Sequence, residues 1–234
     1  RTVDIGDVTG DGRPDILVAD AAGTLRIYAW ETLFDKAARP GSPLAAVRTA
    51  ALAGEPSASQ VIDINGDNQK DFLYTVPATD SLQILYGQSF SSSESIYSGA
   101  GPMALTTGDF NGDARPDIAV ANRDGNSVTV VRNDGGSFSA INYATLGGQP
   151  VAMAAADFGR DGRTDLAVAQ AANKSISIWH AGAGGTFAPG SGQTIFFINP
   201  PSALQADNFD GQHGPDILVG YADYYKLGLC VSDA

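Results

Sequence analysis

A single cysteine, Cys230, stands in the whole chain, so no internal disulfide can form. Stability must come from packing or from a bound ion; export is neither shown nor excluded, because a large core needs no staples. Basic residues are scarce: 14 Lys and Arg stand against 26 Asp and Glu, giving a net charge of −12. That balance excludes the positive face that nucleic acid requires. No apolar run approaches the roughly 18 residues of a membrane-spanning helix. Histidine is limited to His180 and His213, no serine sits in a nucleophile elbow, and no Cys/His pair is suggested. The chain begins at Arg1 without an initiator methionine or a leader, and reads as a processed or excised piece of a longer precursor.

Glycine (28) and proline (12) are plentiful, and between them lie short apolar runs. This pattern predicts many short strands and turns around a core that the 43% hydrophobic content can fill. Within it one nine-residue phrase recurs, with aspartate at its first, fifth and ninth places. The copies are Asp7-Val-Thr-Gly-Asp-Gly-Arg-Pro-Asp15, Asp63-Ile-Asn-Gly-Asp-Asn-Gln-Lys-Asp71, Asp109-Phe-Asn-Gly-Asp-Ala-Arg-Pro-Asp117 and Asp157-Phe-Gly-Arg-Asp-Gly-Arg-Thr-Asp165. A degraded fifth copy is Asn208-Phe-Asp-Gly-Gln-His-Gly-Pro-Asp216. Three carboxylates so close repel one another unless a cation sits among them, and hard oxygen donors suit calcium. One copy alone reads equally well as an Asp/Asn-rich turn capped by its own side chains. Four copies favour the ion, and four divalent cations would cancel most of the negative charge.

The phrase starts at residues 7, 63, 109, 157 and 208, a period of 46 to 56 residues. Such a period signals a solenoid, propeller or array. Each unit carries a strand into the loop and a strand out of it, such as Ala104-Leu-Thr106 and Ile118-Ala-Val120. A turn leads to a third strand such as Val128-Thr-Val-Val131, and a Gly-rich turn to a fourth: Ala46-Val-Arg48, Ser95-Ile-Tyr97, Ile141-Asn-Tyr143 and Ile195-Phe-Phe-Ile198. Four antiparallel strands per repeat make a propeller blade. Apolar runs such as Ile16-Leu-Val-Ala19 suit strands buried on both faces. The expected fold is therefore all-β, a β-propeller of about five four-stranded blades in one domain, with repeats near 1–55, 56–101, 102–149, 150–200 and 201–234. The last blade lacks a fourth strand, so either one blade has three strands or the chain is part of a larger ring. Extra residues from Glu31 to Pro43 enlarge the first repeat, with a helical turn expected over Leu33-Phe-Asp-Lys-Ala37.

The stretches around Asp109 to Val120 and Asp157 to Val168, with the Gly-rich tails ending at Phe138 and Phe187, resemble FG-GAP/VCBS repeats. The resemblance covers nearly the whole chain. It implies a calcium-loaded propeller of the kind found in integrin alpha heads, fungal propeller lectins and accessory domains of exported bacterial enzymes, and no single activity. Carried over by position, the first, third, fifth and ninth residues give side-chain oxygens, and the seventh gives its backbone carbonyl. The implied ligands are Asp7, Thr9, Asp11, Arg13 and Asp15 in the first loop, and Asp63, Asn65, Asp67, Gln69 and Asp71 in the second. In the third they are Asp109, Asn111, Asp113, Arg115 and Asp117. In the fourth they are Asp157, Asp161, Arg163 and Asp165, where Gly159 has no side chain and water takes its place. Asn208, Asp210, Gln212, Gly214 and Asp216 of the fifth have lost half the charge, and weak or absent calcium is expected there.

These readings lead to an exported, calcium-stabilised binding or adhesion module with about four Ca²⁺ ions and a carbohydrate or extracellular protein ligand. It would sit outside the cell, at its surface or in the periplasm, without membrane insertion. It is expected not to be an enzyme, since metal-ligating aspartates make poor acid–base groups. The alternatives are an accessory or spacer domain of an exported enzyme, and a hydrolase or lyase. Of the aromatic residues, Trp30, Trp179, Tyr86, Tyr97, Tyr143, Tyr221, Tyr224 and Tyr225 could stack on sugars where exposed, but blade-packing core is the more frequent use of such side chains. Tyr221-Ala-Asp-Tyr-Tyr225, in a turn, is the group least expected to be buried.

Overall fold

The computed structural model describes residues 1–30, 46–145, 148–209, 211, 214–221 and 226–230. Every sheet in it is an antiparallel meander of strands consecutive in sequence, as short hairpin turns between apolar runs dictate. The chain divides into two compact units, Arg1–Tyr97 and Ser98–Ala234. The first unit holds two four-stranded sheets: β1 (Thr2–Gly6), β2 (Asp15–Ala19), β3 (Thr24–Tyr28) and β4 (Arg48–Ala51), then β5 (Ala58–Ile62), β6 (Asp71–Val76), β7 (Ser81–Tyr86) and β8 (Ser92–Tyr97). The second holds two more: β9 (Pro102–Gly108), β10 (Asp117–Asn122), β11 (Ser127–Asn133) and β12 (Phe138–Ala144), then β13 (Pro150–Ala156), β14 (Asp165–Gln170), β15 (Ser175–Trp179) and β16 (Thr194–Phe196). Its last sheet has three described strands, β17 (Ala203–Asp207), β18 (Asp216–Tyr221) and β19 (Lys226–Cys230). The fold class is all-β, and the five sheets are β-propeller blades.

The strands leaving the loops are the most deeply set. Every residue of β6, β10 and β14 is buried, which is why these segments carry near-continuous apolar sequence. β2 departs from that expectation. Leu17 and Ala19 are buried but Ile16 and Val18 are only half-buried, because the two pairs point to opposite faces. The face of Leu17 and Ala19 joins Leu25, Ile27, Phe72, Tyr74 and Val76 in a core shared by the first two blades. In the second unit, Phe110, Val128, Met153, Leu166 and Trp179 link blades three and four, while Ile176, Ile178, Ile217 and Val219 link four and five. Within each unit the repeats are not beads on a string, since each core draws on two sheets.

Two fourth strands are placed differently from the sequence reading. β4 covers Arg48–Ala51 rather than starting at Ala46, although Val47 N still donates to Ile27 O at 2.8 Å. β16 ends at Phe196, short of Ile198. Proline accounts for the two register shifts. Pro102 and Pro150 open β9 and β13 without an N–H for the ladder, and the pairing slips beside each. The expected helical turn at 33–37 and the remainder of the 31–43 insertion lie outside the described residues.

Candidate functional site

Each acidic phrase connects the first and second strands of its blade, and its ninth aspartate is the first residue of the second strand. Asp15, Asp71, Asp117, Asp165 and Asp216 are all at most 1% exposed. A buried carboxylate demands hydrogen bonds, and backbone N–H groups supply them. Asp71 Oδ2 accepts from Ile64 N at 2.9 Å and its Oδ1 from Gly87 N at 2.7 Å. Asp117 repeats this with Phe110 N at 3.0 Å and Asn133 N at 2.8 Å, and Asp165 with Gly159 N at 2.7 Å and Ala181 N at 2.8 Å. Each therefore staples the start of its own loop to the end of the third strand. The loop's second residue drives the same joint from the apolar side: Val8, Ile64 and Phe110 are buried.

The first aspartate folds the turn. Asp63 Oδ1 accepts from Gly66 N at 2.7 Å and Asp67 N at 3.2 Å, and Oδ2 from Asn68 N at 2.8 Å. Asp7 and Asp109 make the same three bonds, and Asp157 accepts from Asp161 N and Gly162 N. The fifth aspartate accepts from the seventh residue's N–H, as in Asp11 with Arg13, Asp67 with Gln69 and Asp113 with Arg115. At the third place Asn65 and Asn111 bridge to Asp67 and Asp113, and Thr9 bonds to Asp15.

Tight curling puts the fourth and sixth residues at positive φ. Glycine serves at Gly66 (φ 79°), but Ala114 (φ 65°) and Arg160 (φ 54°) adopt the same left-handed geometry with a side chain. A left-handed L-residue is strained. Ala114→Gly is accordingly expected to raise stability by up to about 1 kcal/mol, checked by urea unfolding, because strain relief exceeds glycine's entropic cost. A loss of stability would show the turn to be unstrained.

Burial raises the carboxyls of Asp71 and Asp117 above the ordinary range. Their backbone N–H donors oppose the rise, while the nearby negative charges of Asp67 and Asp63, and of Asp113 and Asp109, add to it. In these two loops the carboxylates thus feel one another. Arginine at the seventh place adds a counter-charge in the third and fourth loops. Arg115 and Arg163 pair with Asp113 and Asp161, and Arg163 grips Asp161 through both Nε and Nη2. The sequence reading gave those residues only a backbone carbonyl role.

The fourth loop differs further. His180 Nδ1 lies 3.0 Å from Asp165 Oδ2, and a Cβ on Gly159 would stand 3.1 Å from that nitrogen. The imidazole therefore stands beside the place where the other loops carry a third side chain. In the fifth loop Asp216 Oδ2 accepts from Phe209 N at 2.9 Å, whereas Asp210, Gln212 and His213 lie outside the described residues.

Among the described residues, no three Asp, Glu, His or Cys side chains converge as a metal-holding group. The carboxylates share each turn but face their own backbone. Their chemistry still fits a hard cation: an ionised carboxylate has about four acceptor sites, and Asp71 uses two of them on N–H donors. Of the aromatic candidates, Trp179 is buried against Tyr143 and Phe187, while Tyr97 is 71% exposed; Phe196, which the sequence does not single out, is 75% exposed. Tyr221 meets Phe197 edge-on, and Tyr224 and Tyr225 lie outside the described residues.

A family model described as FG-GAP-like repeat matches residues 7–74, 63–120 and 109–168, well over half the chain. None of the curated proteins matches it. Among solved structures, BBS1N in complex with ARL6DN is 15% identical, covering 94% of this chain and 74% of that one at TM-score 0.51. Virginiamycin B lyase from Staphylococcus aureus is 14% identical, covering 97% and 65% at TM-score 0.62. The V. cholerae biofilm matrix protein Bap1 is 16% identical, covering 93% and 34% at TM-score 0.55. At these identities the likeness is one of fold.

Proposed function

We propose, from the premise that this chain belongs to the FG-GAP-like repeat family, that it is a non-catalytic, exported binding module whose loops take calcium. The observation that carries the metal reading is the repeated turn in which three carboxylates share nine residues around a buried ninth one, which in the second and third loops feels the charge of the other two. Asp63, Asn65, Asp67 and Asp71, and Asp109, Asn111, Asp113 and Asp117, would hold an ion, as would their counterparts in the first and fourth loops. Bound calcium would neutralise charge and fix the turns; the protein's own share is the backbone staple that positions the ninth carboxylate. Millimolar calcium outside the cell fills sites of modest affinity that submicromolar cytosolic calcium leaves empty, which supports an extracellular, cell-surface or periplasmic setting. The ligand is a carbohydrate or an extracellular protein, held on grooves and turns that the rigid blades display. A protein ligand accords with BBS1N, whose structure is a complex with ARL6DN.

Asp109→Ala tests the assignment. Its carboxylate serves two exposed N–H groups and one half-buried one at the protein surface, which water can satisfy in its absence, so the variant should fold while calcium stoichiometry by titration calorimetry falls by one site. Unchanged stoichiometry would refute the third-loop site. A glycan array probed with the chain, in calcium and in chelator, tests the binding role.

A further inference from the structure

One cavity in the second unit stands apart from the acidic loops. Its volume is about 190 Å³, and Thr145, Gln170, Ser175, Ser177, Trp179 and Phe196 line it. Trp179 and Thr145 are 0% and 2% exposed, yet Trp179 Nε1 and Thr145 Oγ1 have no hydrogen-bond partner among the described residues. An indole N–H can only donate, and burying it unpaired is costly. Both atoms are covered by protein, so the two residues wall the cavity without presenting these groups to it. Gln170, Ser175 and Ser177 add neutral polar groups, with Gln170 Oε1 accepting from Asn173 Nδ2 at 3.1 Å. Among the described residues, no charged side chain lines the cavity. Phe196 supplies an apolar face and remains 75% exposed.

We propose that this cavity is a subsite for one neutral sugar ring. The space equals that of about six waters at their ~30 Å³ share of the liquid. A pyranose replaces several waters, turns its hydroxyls to the neutral polar lining of Gln170, Asn173, Ser175, Ser177 and Thr194, and lays its C–H face on Phe196. Water alone has no use for the aromatic face, and a charged ligand would find no counter-charge among the described residues. This subsite rests on the binding-module reading and names its ligand class. It needs no calcium.

The test follows the indole N–H signals of the ¹⁵N-labelled chain, with Trp30→Phe assigning the two resonances. Glucose, galactose and mannose are titrated in turn, with glycerol and glucuronate as controls. At least one neutral hexose is expected to shift the Trp179 signal saturably. Trp179→Phe risks the core, so the variant is Phe196→Ala at an exposed position, expected to weaken binding about tenfold through loss of the apolar face. The proposal fails if no hexose moves the signal, if glycerol or glucuronate moves it equally, or if Phe196→Ala binds unchanged. A ligand found on the array that leaves the indole unmoved would overturn the subsite while the binding-module reading stands.

Discussion

Chelating calcium should lower the melting temperature by at least about 10 °C. A site held at a hundred times its dissociation constant adds roughly 2.7 kcal/mol, and in a domain of this size each 1 kcal/mol moves the midpoint by about 2–4 °C. Two filled loops already give the stated drop, and four would exceed it. Scanning calorimetry in calcium and in chelator measures it, and coincident melts would end the structural-calcium reading. The pH dependence gives a second, qualitative signature. In the metal-free protein Asp71 and Asp117 have raised values in the folded state, burial being the main cause. The folded form then takes a proton before the unfolded one does. The stability these groups contribute is present below the ordinary carboxylate value and lost as pH rises through the raised one. Mild acidification in chelator should therefore favour folding at these two positions. Asp20, Asp134 and Asp161 shift the other way through Arg26, Arg132 and Arg163, but those pairs are solvent-screened. In calcium the sign reverses, because protons compete with the cation for the same oxygens. Melting curves from neutral pH toward pH 4 should thus diverge between the two conditions, and parallel curves would count against carboxylate ligation.

Asp117→Ala should cost about 3 kcal/mol or more with or without calcium. The carboxylate is fully buried and accepts from both Phe110 N and Asn133 N. Removing it leaves two buried donors unpaired, at roughly 1–3 kcal/mol each. It also loosens the joint between the third loop and the end of β11, where Phe110 enters the core shared with the fourth blade. Urea unfolding is the measurement, with Asp124→Ala as control; Asp124 is largely exposed and pairs with Arg123, so its loss should stay within about 0.5 kcal/mol. Equal effects at the two positions would show that the ninth aspartate is not a structural staple. The contrast with Asp109→Ala separates two roles within one motif: the first aspartate shapes a solvated turn, and the ninth ties that turn to the sheet.

The period of the acidic phrase and the apolar runs on either side of it placed β1 through β19 in order, because strand alternation and turn chemistry are local properties. The Asx-type bonds of the first and fifth aspartates span five residues or fewer and could be read the same way. Phe158 and Phe209, however, occupy the same loop position as Phe110 without its full burial, since the neighbouring sheet decides how much of the ring is covered. The staples from Gly87, Asn133 and Ala181 reach 16 residues along the chain, and their existence depends on the register between second and third strands. His180 meets Asp165 only because β14 and β15 bring them side by side. Trp179, one residue earlier, reads in the sequence as a ring for stacking or for core, and its place in a cavity wall with Thr145 and Phe196 exists only once β15 and β16 meet the residue that follows β12. Spacing along the chain thus determined the blades and the acidic turns. Which aspartates are buried, which partners hold them, and where a neutral cavity opens were decided by packing between sheets, because desolvation and hydrogen-bond satisfaction are set by neighbours that sequence distance does not reveal.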